Sequence, residues 1–131
     1  TEETTPEQKT AKTELVAEER ERVAAAPVAT YDKPLSGNLN NWHFKVQLKE
    51  TKETFRYLLD MKYQEVTASD TITFPNFGEM PKPEIRKGSD DLECIVGFLD
   101  KKNEFREYIK VFVEDEQLRV KKIKSYAVYA K

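Results

Sequence analysis

Histidine and cysteine, the side chains best suited to catalysis and metal binding, each occur once in these 131 residues, as His43 and Cys94. Nucleophilic catalysis needs a base beside a nucleophile and an acid that orients the base. His43 follows Trp42 on the polar side of an alternating stretch, and no GxSxG or HExxH pattern accompanies it. It reads as an exposed strand histidine. A zinc site takes several His or Cys ligands, so none is expected. Cys94 stands among Leu92, Val96 and Phe98, where a thiol packs as a small hydrophobe, and a single cysteine excludes an internal disulfide.

The acidic groupings are Asp90-Asp91, Glu114-Asp115-Glu116, and Asp60 with Glu65. Two carboxylates can hydrolyse a glycoside, but most of these fall where turns are expected. The alternating oxygens of a DxDxDG calcium loop are missing as well. We therefore expect no catalytic residue, no metal and no cofactor. An enzyme would need a cleft where His43 meets a carboxylate, and the sequence points to none.

Two features remain that could bind something. The first is a basic, aromatic stretch: Arg106, Tyr108, Lys110 and Phe112, then Arg119, Lys121, Lys122, Lys124 and Tyr126. Cations interleaved with rings on a curved sheet suit single-stranded nucleic acid. However, the chain carries a net charge of -2, and lysines on an edge strand also guard against aggregation. A solvated face is the preferred reading. The second feature is Pro75 to Pro83, PNFGEMPKP. Phe74, Phe77 and Met80 beside prolines make either a partner-binding tip or a lid folded over an open end of the sheet.

The elements that must carry these residues are strands. Trp42, Phe44, Val46 and Leu48 alternate with His43, Lys45, Gln47 and Lys49; Phe55, Tyr57, Leu59, Met61 and Tyr63 continue at the same period. Thr67 to Asp70 reads as a turn, Ile72 to Phe74 as a short strand, and Glu84 to Lys87 as an edge strand. From Leu92 to Tyr129 three apolar runs are separated by charged turns at 100–104 and 114–117. Gly97 allows a bulge in the first run, and Lys121-Lys122 suggests one in the last. The fold class expected is all-β: a single antiparallel meander of about six or seven strands forming a small barrel or sandwich.

Residues 1–36 differ in composition. Thr, Glu, Lys and Gln dominate 1–13, and residues 11–26 favour a marginal helix with a thin apolar stripe of Leu15, Val16 and Val23. Pro27 to Asn41 reads as a connector. The expected organisation is a flexible leader over 1–36 and a β-rich domain over 37–131. The charged fraction of 35% fits a chain that is partly solvated.

A polar leader ahead of a sheet suggests a spacer. The chain opens on Thr1 without Met and without a charged-then-apolar signal, so it is expected to begin inside a longer product. Either an export signal was removed, with a lipid anchor upstream, or the sequence was cut there. The functional expectation is a non-enzymatic, exported, periplasmic or surface-tethered (lipoprotein-like) interaction module whose partner is another protein. The alternatives are a single-stranded nucleic-acid-binding barrel, and a carrier of a small apolar ligand lined by Trp42, Phe44, Tyr57 and Tyr63.

Overall fold

In the computed structural model, which describes residues 19–35, 37 and 41–126, eight strands form two antiparallel four-stranded sheets. The first sheet runs β1 (Ala29–Pro34), β2 (His43–Glu50), β3 (Arg56–Tyr63), β4 (Val66–Thr73), paired in that order. The second runs β5 (Pro83–Lys87), β6 (Glu93–Leu99), β7 (Phe105–Glu114), β8 (Gln117–Lys122), also in chain order. The class is the one expected, but the meander is divided in two. Pro75, Pro81 and Pro83 remove ladder donors between Thr73 and Glu84, so β4 and β5 cannot pair as neighbours.

Period-two burial builds the core between the sheets. Phe44, Val46 and Leu48 point inward from β2, Tyr57, Leu59, Met61 and Tyr63 from β3, and Cys94, Val96 and Phe98 from β6. Cys94 is fully buried, as a small core residue would be. Burial, with Glu93 adding to it, pushes its thiol up to about 12, so it stays protonated and unreactive at neutral pH.

Gly97 marks a real bulge. Val96 pairs with Ile109 but Gly97 with Glu107, which leaves Tyr108 as the extra residue. A Cβ on Gly97 would meet the Arg106 carbonyl oxygen, and the Phe105 ring lies close over the same spot. Because of the bulge, Tyr108 and Ile109 are both buried, although they are adjacent in the chain.

Four expectations need correction. Lys121-Lys122 carries no bulge: the ladder with β7 stays regular and β8 ends at Lys122, while the expected continuation past Tyr126 lies outside the described residues. The turn expected at Thr67–Asp70 is instead the two residues Gln64-Glu65, with Gln64 left-handed at φ 57°, and the β-branched residues that follow extend β4. The marginal helix is absent over 19–26, and 11–18 lies outside the described residues. The boundary at Gly37 also moves toward the N-terminus, because Ala29–Pro34 is a strand paired with β2.

The segment before β1 is fastened to the sheet by Arg20. Its Nε donates to the Thr51 carbonyl at 3.0 Å and its Nη2 to the Thr54 carbonyl at 2.7 Å. Nη1 lies 3.4 Å from Glu50, and the guanidinium covers the Tyr57 ring at 5.1 Å. With its side chain 8% exposed, Arg20 is a buried cation whose donors meet backbone carbonyls and a carboxylate.

Candidate functional site

One end of the sandwich is built from aromatic rings. Phe74, at the end of β4, is buried, with ring centroids 5.3 Å from Tyr57, 5.7 Å from Phe98 and 5.7 Å from Tyr108. These tilted and edge-on contacts are the arrangements that aromatic quadrupoles favour. Tyr108 donates its hydroxyl to the Thr73 carbonyl at 2.9 Å, which joins the two sheets. Phe77 folds back from the proline-rich loop onto Phe98 (5.7 Å) and Tyr126 (6.2 Å). Tyr126 is itself held by a 2.6 Å bond from its hydroxyl to the Glu107 carbonyl.

Of the three residues expected at a loop tip, then, Phe74 belongs to the core and Phe77 acts as a lid. Met80 alone stands out, 51% exposed. Between lid and sheet lies a cleft of about 450 Å³, floored by Phe77, Phe98 and Tyr126 and bordered by Glu79, Asp100, Lys101, Lys102 and Arg106. The β6–β7 turn shapes this border. The Asp100 carboxylate accepts from the Glu104 amide (2.9 Å), Arg106 Nε (2.8 Å) and the Lys102 amide (2.8 Å), and these bonds hold it below the usual carboxylate range. Arg106 is thereby satisfied, whereas Lys101 and Lys102 make no ion pair among the described residues.

The expected nucleic-acid face assembles only in part: Lys110 opposes Lys121 and Phe112 opposes Arg119 across β7 and β8, while the other expected residues lie elsewhere or are engaged. Tyr108 is in the core, and Arg106 is held by Asp100. Arg119 lies 3.4 Å from Glu114, and Lys110 covers Phe112 and sits 4.0 Å from Glu93. Lys122 lies over the Tyr108 ring and Lys124 over the Tyr126 ring, at 5.4 and 5.9 Å. Lys121 alone of the expected residues points outward without a ring or an acid among the described residues. The face expected for an apolar ligand is likewise spent on packing: Phe44, Tyr57 and Tyr63 are core, while Trp42 borders a polar cleft elsewhere.

No protein-family model, curated protein or solved structure matches this chain.

That polar cleft corrects one more expectation. His43 does meet a carboxylate: its Nδ1–H donates to Asp32 Oδ1 at 2.5 Å, a pair that forms because β1 exists and places Asp32 beside β2. The described residues lining it (Asp32, Asn41, Trp42, His43, Lys45, Lys62, Gln64 and Glu65) include no serine, threonine or cysteine to act as a nucleophile. Sequence reasoning missed Asp32 by placing it in a connector. The signal available was Tyr31 between two polar residues and two flanking prolines, a pattern an edge strand tolerates.

Proposed function

We propose that this chain is a non-enzymatic interaction module, exported or held at a cell surface, which binds a protein partner at its aromatic end. The observation that supports the reading is the cleft floored by Phe77, Phe98 and Tyr126, with Lys101 and Lys102 at its border making no ion pair among the described residues. A volume of about 450 Å³ is in the range of ligand sites and accepts one or two large side chains. Its apolar floor calls for an aromatic or aliphatic anchor, and the ammonium groups at its border call for acidic residues flanking that anchor. Exposed Met80 at the loop supplies further apolar contact at small entropic cost, because the prolines stiffen the segment. The Thr-, Glu- and Lys-rich composition of residues 1–18, ahead of the fastened Arg20, is that of a spacer and supports tethering.

The test is selection of peptides from a displayed random library against the full chain. The expected consensus is one large apolar residue flanked by Asp or Glu. Binding should be lost in Phe77→Ala and weakened about tenfold in the Lys101→Glu, Lys102→Glu double variant. Selected peptides that bind both variants as well as the parent chain would place the interface elsewhere.

A further inference from the structure

We propose that the polar cleft at the opposite end of the first sheet is a second binding site, and that its ligand is an acidic sugar. The first observation is a like-charge pair. Lys45 on β2 and Lys62 on β3 are direct cross-strand partners on the outer face. Asp32 of β1 is the partner of Lys45 on its other side but bonds His43, and neither lysine has a carboxylate at ion-pair distance among the described residues. Two ammonium groups opposed in this way destabilise a sheet unless an anion sits between them. Farther along the same face, Lys49 reaches diagonally to Asp60 at 3.1 Å, so this lysine is answered by a carboxylate.

The second observation is what surrounds that pair. The cleft holds about 340 Å³, much more than a bare phosphate fills, and Asp32 and Glu65 line it. Those carboxylates would repel a compact polyanion but accept hydrogen bonds from hydroxyl groups. Asn41 and Gln64 add amides that both donate and accept. His43 Nδ1 is committed to Asp32, which leaves Nε2 with no partner among the described residues. Half-buried Trp42 provides an indole at the wall, a surface suited to the C–H face of a pyranose. An anionic group, several hydroxyls and one apolar face together describe a sugar acid such as a hexuronate.

Trp42 is the only tryptophan in the chain, so its fluorescence reports on this cleft alone. The experiment titrates the full chain with an oligoglucuronate, with a neutral glucose oligomer of the same length, and with inorganic phosphate. We expect a saturable change in emission with the oligoglucuronate. The dissociation constant should rise about tenfold in Lys45→Gln and again in Lys62→Gln, and stay unchanged in Lys49→Gln. All three lysines are at the surface, so the variants fold. A flat titration with the acidic sugar overturns the proposal, and so does an equal response to the neutral oligomer or to phosphate. Equal loss in Lys49→Gln would reduce the effect to general surface charge and overturn it too.

Discussion

The two ends of this sandwich are made in opposite ways. At the aromatic end, segments from far apart in the chain are laid over the strands: Arg20 against the 51–54 turn, Phe77 from the proline-rich loop, and Tyr126 after β8. At the polar end the strands are joined by short reversals, Gln64-Glu65 in one sheet and Asp115-Glu116 in the other, with left-handed Gln64, Asp115 and Glu116. The first end owes its shape to long-range packing. The second owes it to register between neighbouring strands, which places Lys45 opposite Lys62 and Asp32 beside His43. A cleft of the first kind should fail when the core fails. A cleft of the second kind should survive most single changes.

The sharpest test of that contrast compares Phe74→Ala with His43→Ala. Phe74 is 2% exposed and touches rings from both sheets, so its loss removes a large buried side chain and leaves a void. We expect about 3–5 kcal/mol of lost unfolding free energy by urea denaturation, with the aromatic cleft loosened. His43→Ala removes a partly exposed hydrogen bond to Asp32 and should cost under about 1 kcal/mol. Similar costs at the two positions would mean that the ends are not built differently after all.

How far the sequence discloses each end follows from the same distinction. The alternation over Trp42–Glu50 and 55–63 makes β2 and β3 legible, because one side of each strand is wholly buried. Gly97 is legible as a bulge because only a residue without Cβ fits beside the Arg106 carbonyl. What the bulge does is not legible: nothing in FREYIKV says that Tyr108 turns inward beside Ile109, since that depends on which residue of β7 is left over in pairing with β6. β4 is obscure for another reason. Val66, Ala68 and Asp70 face the same side as buried Tyr63, Met61 and Leu59, yet β4 is the edge strand, where only Ala68 is half-buried and Val66 and Asp70 are exposed. Where burial is slight the apolar alternation is weak, and Thr67 to Asp70 reads as a turn before a short strand. Phe77 could be read as either tip or lid, and the choice was made by Phe98 and Tyr126, which are 21 and 49 positions away.

Arg20 tests whether the segment ahead of β1 is part of the aromatic end or merely attached to it. Arg20→Ala would remove the guanidinium bonds to the Thr51 and Thr54 carbonyls in a part-buried setting and uncover Tyr57. The expected cost is about 2–3 kcal/mol, smaller than that of Phe74 because no large void forms. Arg20→Lys should recover less than half of it, since one ammonium cannot reproduce the planar fork that serves two carbonyls and Glu50 together. Faster amide exchange at Ala24, whose N–H donates to Glu50 at 2.9 Å, should accompany both variants. An Arg20→Ala chain as stable as the parent would show that the segment rests on the sheet without holding it.

The smallest effect concerns the outer face of the first sheet, where charge and register act without burial. Burial nudges the Asp60 carboxyl upward, but the Ser69 hydroxyl at 2.8 Å and Lys49 at 3.1 Å outweigh it and hold the group below its ordinary value. A carboxyl lowered on folding adds stability above its unfolded pKa of about 3.9 and loses it as pH falls through the folded value. The contribution should therefore be constant at neutral pH and fade only below about pH 4. A double-mutant cycle of Lys49→Ala and Asp60→Ala should give a coupling of about 0.2–1 kcal/mol at pH 7, shrinking in high salt and vanishing in acid. The same cycle on Lys45 and Lys62 should have the opposite sign, with removal of either lysine relieving the other. A coupling of the same sign at both pairs would mean that the cross-strand lysines already have an answering charge, and the contrast along this face would disappear.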